Sequence, residues 1–493
     1  ASNVSQKNIY IKSAKLNGKL LSRSFITHDE ILNGGNLVFQ MSSKPNTKLW
    51  SDINSYPQSE TKIIETDRIN KNEYAEKVKQ DFLHAWNAYK RYAWGYDELK
   101  PLTKTSRNWY EETLLMTPVD AFSTMKLMKL ENEANETKKL IFDKLTFDKN
   151  FFVSNFEITI RLLGGLISAF QLDGDIQFLK LAEDLGNRLL PVFNSQTGMP
   201  YQQINLKTGE KKGRISNPAE IGTLMIEFGT LSKLTGNPIF YEKAKKAFVE
   251  CYNRRSSIGL VGTTIDVETG EWKNKESHIS GMIDSYYEYM IKSYLLFKDD
   301  DFKKMYESSI TSVNKYLYDE VETGAWYGRA DMNNGLITRK LFGALDAFIP
   351  AVLVLGGDIA RAEKIQNSCY KMWNQFGIEP EEFNYNTFEI THKSYVLRPE
   401  IIESAFYLYR STKDQKYLEM GITFFESLRK YCKVDEGYAS LKNVMSKEKL
   451  DKMESFLFAE TFKYLYLLFA PEETLDLSKY VFNTEAHPIK IVN

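Results

Sequence analysis

From about residue 68 onwards the chain keeps one hydrophobic rhythm, and that rhythm restricts the architectures open to it. Stretches of helical length recur near 71–93, 107–130, 133–144, 155–171, 175–190, 217–235, 238–254, 281–297, 299–318, 340–355, 358–375, 398–411, 414–432 and 452–469. Each is amphipathic or apolar throughout. They fall into about seven consecutive pairs, a spacing that suits either an open solenoid of helical hairpins or a closed ring. Stretches such as 281–297 and 452–469 are apolar almost all round, which predicts helices enclosed on every side. The expectation is therefore an all-α double ring whose loops surround a pocket. Short β-like pieces separate the pairs, for example 259–266 with 270–272, and 325–330.

Residues 1–55 read differently. Apolar and polar residues alternate over 8–16, Asn17-Gly18 is a strong two-residue hairpin turn, 27–33 forms a short helical turn, and 37–41 reads as a further strand. The predicted organisation is a small β appendage over 1–55, a polar linker over 56–70, and a helical domain over 71–493. The start at Ala1 reads as a mature or trimmed chain.

Four acidic stretches interrupt the apolar pattern. Glu157 and Arg161 stand four apart among Phe156, Ile158, Ile160 and Leu162; a surface ion pair is the simple reading, but the flanking residues make that face hard to expose. Asp284 opens a helix, where an N-cap is the ordinary explanation of an isolated Asp. In 395–409, Pro399 suits a first helical position, and Glu400 and Glu403 follow on one side of the first turn behind Arg398. Taken alone, this stretch reads as an ordinary acidic helix start; the sharper reading is a carboxylate held ionised by a helix N-terminus at the mouth of a cavity. Glu454 and Glu460 fall within an otherwise apolar helix. Burying carboxyl groups repeatedly without partners is costly, unless they converge on one polar cavity.

The rest of the sequence excludes other chemistries. A formal charge of −1 gives no basis for binding nucleic acid or an anionic membrane, and no apolar run reaches the length of a membrane span. Cys251, Cys369 and Cys432 form no metal or disulfide spacing, and the five histidines form no zinc or triad pattern. No phosphate-binding loop or dinucleotide fingerprint is present. Carboxylates together with 30 Phe, 29 Tyr and 7 Trp remain, the equipment of glycoside hydrolysis.

The stretches YAWGYDELKPL, FEITIRLLGGLISAFQLDGD, DSYYEYMIKSYLLF, LRPEIIESAFYLYRST, DKMESFLFAETFKYLYLLF and VFNTEAHP together resemble the family 47 glycoside hydrolases, the class I α-1,2-mannosidases. GLVGTTIDVETGEW and KVDEGYASLKNV lean towards the ER degradation-enhancing α-mannosidase-like branch. The segment YIKSAKLNGKLLSRSFITHDEILNGGNLVFQMSSKPN is similar to the C-terminal end of bacterial family 92 α-mannosidases, without their catalytic portion. The family 47 resemblance implies an (α/α)7 barrel closed by a C-terminal β-hairpin. It also implies an inverting, Ca2+-dependent exo-α-1,2-mannosidase acting on high-mannose N-glycans or their fragments. By position, Glu157 and Asp284 share the acid side of the reaction and Glu400 is the base that activates water. Phe156, Arg161, Glu220, Glu381, Arg398, Glu403, Phe456, Glu460 and Glu485 match the sugar pocket, and Thr484 matches the Ca2+ anchor. A hard, oxygen-liganded cation agrees with the lack of a Cys or His cluster.

Some positions depart from the family pattern. Cys369 matches one half of a disulfide whose other half is Ala347 here; a family His is Ala344; Phe122-Ser123-Thr124 replaces Leu-Asp-Thr; and Met282 replaces an arginine that narrows substrate choice. None touches the three reacting carboxylates. The rival readings are a mannose-binding protein that no longer hydrolyses and a helical-repeat scaffold with incidental acids. A monomer is expected. Through the family 92 segment, a bacterial exported protein, periplasmic or extracellular, is expected ahead of one in the ER lumen.

Overall fold

The computed structural model describes residues 1–51, 55 and 69–491. The chain divides into two compact units, Ala1–Asn70 and Lys71–Asn493. In the first, strand Tyr10–Leu16 lies between Lys19–Leu20 and Leu37–Ser42, antiparallel to both. The Asn17-Gly18 turn takes positive φ at both residues (52° and 80°), the geometry that matches the twist of a two-residue hairpin. Thr27 caps helix His28–Leu32 in a reciprocal capping box with Glu30. Among the described residues of this unit, Ala14 and Leu21 are the apolar side chains that are buried. The linker expected over 56–70 lies outside the described residues apart from Ile69 and Asn70.

The second unit is built from helix pairs. Met116–Leu127 packs on Glu131–Lys144, Gly164–Asp173 on Ile176–Leu189, and Met225–Thr235 on Ile239–Tyr252. Asp284–Phe297 then packs on Asp300–Tyr316, Ile349–Leu355 on Ile359–Phe376, and Glu400–Thr412 on Lys416–Tyr431. The late helix Phe462–Phe469 packs against the early helix Lys71–Tyr92. The first members of successive pairs also touch one another, and Met116–Leu127 meets the wide turn Leu457–Thr461. These first members are buried almost all round: in Met116–Leu127 only Lys126 is not. The second members bury one face, and three of them are capped by an aspartate: Asp175 Oδ1 accepts from Gln177 N (3.0 Å), and Asp299 and Asp358 act likewise. Aromatic rings join the layers. Phe178, fully buried, sits 5.0 Å from Phe122 and 4.8 Å from Phe142, and burying such a ring contributes about 1.5–3 kcal/mol.

Several expected helices start later or break. The stretch near 107–130 is helical only from Met116, because Leu115 before it takes a left-handed conformation (φ 55°). Near 340–355 a short strand and a tight turn precede Ile349–Leu355, with Pro350 in its first turn. Near 452–469 the helical part begins after Glu454 and opens with a wide π turn, Leu457–Thr461; a second such turn, Thr159–Leu163, interrupts 155–171. Pro399 is the N-cap of Glu400–Thr412 and not its first helical residue. The three cysteines are free and buried.

A C-terminal hairpin, Tyr480–Phe482 with Pro488–Lys490, packs against helices Gly164–Asp173 and Asp284–Phe297. Its turn is held by Asn483, whose Oδ1 accepts from Glu485 N and His487 N and whose Nδ2 donates to Ile160 O and Glu227. Gly164 and Gly165 make the approach possible: a Cβ there would stand 2.5 Å from Asn483 Nδ2 and 2.6 Å from Val119 Cγ1. Lys463, fully buried, donates to Ala486 O (2.6 Å) and to Ser123 Oγ (2.9 Å). Ser123 Oγ also lies 3.3 Å from His487 Nδ1. Thr124, next in the chain, donates to Phe458 O (2.6 Å).

Lys463 thus meets only neutral acceptors, with Glu460, Asp120, Glu485 and His487 around it. Burial pushes its ammonium down to about 7, with Glu460, Asp120 and Glu485 opposing. His487 is likewise pushed down to about 4 by burial, so it is neutral at pH 7. Because the folded-state value of Lys463 lies below the unfolded one, the penalty is fully present below pH 7 and is relieved as pH rises towards 10. Ser123→Asp supplies the missing counter-charge. Scanning calorimetry of both proteins should give the variant the higher Tm at pH 7, its unfolding free energy raised by on the order of a few kcal/mol, with the difference shrinking towards pH 10. Parallel Tm curves would show that Lys463 is not the group responsible.

Candidate active site

The four acidic stretches meet. Around one cavity of about 340 Å3 stand eight acidic side chains: Glu157, Glu220, Asp284, Glu288, Glu400, Glu403, Glu460 and Glu485. Arg161 and Arg398 are the cationic residues of its lining, and Phe156, Phe456 and Thr484 also line it.

Each acid is placed by a local device. Ser154 Oγ accepts from Glu157 N (3.2 Å) and so opens the short helix Asn155–Ile158. The π turn that follows carries Arg161 inward, where its Nε donates to Glu157 Oε2 (2.9 Å) and Nη1 reaches Glu485 and Asp120. The Glu157–Arg161 pair is therefore an active-site pair with a buried arginine. Asn217 caps Pro218–Gly222, presenting Glu220, whose Oε2 accepts from Ser216 Oγ (3.1 Å). Asp284 is the first helical residue after the cap, and its Oδ1 accepts from Ser285 N (2.8 Å). Glu400 likewise opens its helix, 3.7 Å from Arg398 Nη1. Glu403, one turn on, accepts from Tyr464 Oη (3.0 Å) and lies 3.5 Å from Lys292 Nζ. Glu460 comes from the π turn Leu457–Thr461, and Thr484 and Glu485 come from the hairpin turn. Phe456 stands between the two guanidinium groups, 5.8 Å from Arg161 and 5.7 Å from Arg398.

Three residues beside the site take left-handed backbone conformations: Met282 (φ 78°), Leu397 (φ 67°) and Ala486 (φ 53°). Such conformations cost of order 1–3 kcal/mol each for non-glycine residues and persist where the surroundings over-determine them. They set the chain direction just before Asp284, just before Arg398 and just after Glu485.

The electrostatics follow from crowding and burial. Burial pushes Asp284 up to about 7 and Glu400 up to about 8, with Arg398 pulling Glu400 the other way. The helix N-terminus and Arg398 alone therefore do not keep Glu400 ionised here, as the sharper reading of its sequence would have it. Glu403 is pushed to about 7 by burial against the pull of Lys292, and Glu460 and Glu485 are raised well above the usual range, burial leading. Glu400 Oε2 is buried without a hydrogen-bond partner.

Other residues refine the sequence reading. Glu381 does not line the cavity; it clamps Arg398 (Nη2 to Oε2 3.0 Å) and borders an adjoining groove, which also takes Glu454. Glu288 was missed. It lies four residues after Asp284, accepts from Thr484 Oγ1 (2.8 Å) and pairs with Lys292 four residues on; the 284, 288, 292 spacing in an apolar helix was its signal. Glu379 was missed too: it is fully buried beside Glu400 and Glu381, neither of its oxygens is hydrogen-bonded, and burial raises its carboxyl well above the usual range.

Whether a hard cation suits this cavity is decided by its donors. Among the described residues no group of three or more His, Cys, Asp or Glu forms a cage. What the cavity offers is the Thr484 hydroxyl among crowded, desolvated carboxyl groups and one buried carboxylate oxygen without a partner. An all-oxygen surrounding with excess negative charge fits Ca2+ completed by water.

Residues 81–491 match glycosyl hydrolase family 47, and residues 1–43 match part of the glycosyl hydrolase family 92 catalytic domain. The chain is 39% identical to alpha-mannosidase I MNS5 of Arabidopsis thaliana over 454 residues, covering 86% of this chain and 78% of the relative. It is 37% identical to the human ER degradation-enhancing alpha-mannosidase-like protein 2 over 451 residues, covering 84% and 77%. The solved alpha-1,2-mannosidase from Trichoderma reesei superposes with a TM-score of 0.80 at 28% identity, covering 85% of this chain and 99% of that one. The chain belongs to glycosyl hydrolase family 47.

Proposed function

We propose that the chain is an inverting, Ca2+-dependent exo-α-1,2-mannosidase that trims terminal mannose from high-mannose glycans. The observation that carries this reading is the convergence of eight acids from six separate segments on one enclosed cavity, in a chain of this family. The same reading takes the helix pairs to close into an (α/α)7 barrel plugged by the hairpin Tyr480–Lys490, with the terminal mannose received above the plug.

In this mechanism Glu400 acts in its ionised form, which Arg398 favours against the effect of burial, and accepts a proton from the attacking water, while the proton for the departing oxygen comes from the opposite side of the sugar. Asp284, raised to about 7 by burial, can hold that proton at neutral pH; Glu157, hydrogen-bonded to Arg161, stands beside it on the acid side. Phe156 and Phe456 offer apolar faces to the ring, and Arg161 and Arg398 offer donors to its hydroxyls. Thr484 would hold Ca2+, which when bound supplies positive charge among the raised carboxyls and oxygen coordination for sugar hydroxyls. All of these groups lie within residues 71–491.

Three outcomes are expected. Inversion requires room for a water, with the working carboxyl groups about 6.5–9.5 Å apart, so NMR during early turnover should show β-mannose before mutarotation. Appearance of α-mannose first would reverse the role of Glu400. Glu400→Gln should lower kcat by about 10^2–10^4-fold while still binding substrate, because the amide keeps the shape and loses the basicity. Chelation, and Thr484→Ala, should abolish or sharply reduce turnover while circular dichroism stays unchanged; full activity of metal-free protein would remove Ca2+ from the reading.

A further inference from the structure

The catalytic cavity does not end at its mouth. Glu157, Arg161, Arg398 and Phe456, which line it, also line a shallower groove that continues to Trp109 and Tyr110. Those two rings in turn form one side of an outer recess of about 580 Å3, whose other side carries Phe152, Gln203, Asn205 and Lys212. The three hollows are joined by shared residues into one path.

The outer recess is a built surface. Strand Gln203–Asn205 lies between Phe152–Ser154 and Lys211–Lys212, with Phe152 opposite Asn205 and Gln203 opposite Lys212. In an antiparallel sheet, opposed residues and those two apart share a face, so Phe152, Asn205, Gln203 and Lys212 all point the same way. Tyr110 is fixed over Phe151 in a stacked pair (5.7 Å, 20°), and its hydroxyl accepts from Ser154 N (3.1 Å). Asn205 Nδ2 donates to Asn150 Oδ1 (3.1 Å). Trp109 is steadied on the cavity side by the Arg161 guanidinium, 5.0 Å from its ring.

Aromatic rings set among amides, with one ammonium (Lys212, 3.6 Å over one face of Phe152) offset by one carboxylate (Glu111), match a ligand that is apolar on its C–H faces and hydroxylated at its rim. That is the chemistry of a neutral hexose. Because the path starts where the terminal mannose is cut, the natural occupant is the remainder of the same glycan. We propose that the recess between Tyr110 and the Phe152–Asn205–Gln203 sheet face holds mannosyl residues of the substrate beyond the one that carries the scissile oxygen. This rests on the mannosidase reading, and it makes the protein's preference a matter of glycan size and branching as well as of linkage. The recess acts on large substrates only.

Phe152→Ala and Gln203→Ala separate this from other roles; Gln203 is exposed, so its loss leaves the core untouched. Affinity is read by calorimetry in the Glu400→Gln background, with a nine-mannose glycan and with α-1,2-mannobiose, and turnover of both is read in the wild-type background. Each variant should weaken glycan binding by roughly three- to tenfold, the scale of one lost stacking or amide contact, and leave the disaccharide unchanged. The same selective loss should appear in kcat/KM. Equal losses on both substrates, no loss on either, or no glycan binding at all would overturn the proposal. Failure of the wild type to release mannose from either substrate would instead overturn the mannosidase reading, while the binding comparison still decides the recess.

Discussion

Two guanidinium groups face eight carboxyl groups around an enclosed cavity, and much of the surrounding structure serves to keep that imbalance in place. Left to itself, a cluster of desolvated like charges takes up protons or swells. Here the acids are held by groups that are themselves fixed: Arg161 by Glu485 and Asp120, Arg398 by Glu381, Lys292 by Glu288 and Glu403. The raised values of Asp284, Glu400 and Glu403 are the residual of this opposition. Carboxyl groups raised in this way suit the cationic occupant and the proton transfer near neutrality that the proposed function calls for.

The helix pairs set the geometry that makes such crowding tolerable. Acids at the first turns of Glu400–Thr412 and Asp284–Phe297 arrive at the cavity because the helices begin there, and their apolar remainders are buried against neighbouring helices. Left-handed residues at Met282 and Leu397 turn the chain into those helices abruptly, and Met282, Arg398 and Pro399 line the cavity beside the helix starts. Strain, burial and charge are thus localised at the same positions.

Much of this was legible in the sequence, for identifiable reasons. Long apolar and amphipathic periodicity marked every helix pair, and Asn17-Gly18 and Thr27-to-Glu30 marked the small sheet and its helix. Acids embedded in apolar surroundings marked Glu157, Asp284, Glu400 and Glu460. Less legible were features that leave no periodic trace. The π turns at Thr159–Leu163 and Leu457–Thr461 change the hydrogen-bonding of one turn without altering the apolar pattern. Glu288 hid among ordinary-looking i, i+4 partners, and Glu381 resembled a pocket residue although it acts through Arg398. Glu379 has no periodic context at all, since it sits between a helix end and a short strand. Residue patterns also cannot show that Lys463 meets no carboxylate, because its neighbours come from residues 123 and 486.

The hairpin Tyr480–Phe482 and Pro488–Lys490 follows every helix in chain order, yet its turn supplies Thr484 and Glu485 to the cavity. During synthesis, therefore, all the helices emerge before the site can exist. At about 5–20 residues per second, the helical part has seconds in which to begin packing around an unfinished centre. The nascent chain carries Glu157, Asp284 and Glu400 in a scaffold that lacks its floor, and Lys463 and Asn483 can then secure the turn once it is released. The cavity lining is complete only once this hairpin has emerged, so a ribosome that stalls shortly before residue 480 leaves the helices without Thr484 and Glu485. The order of the chain acts as a built-in timer on the chemistry.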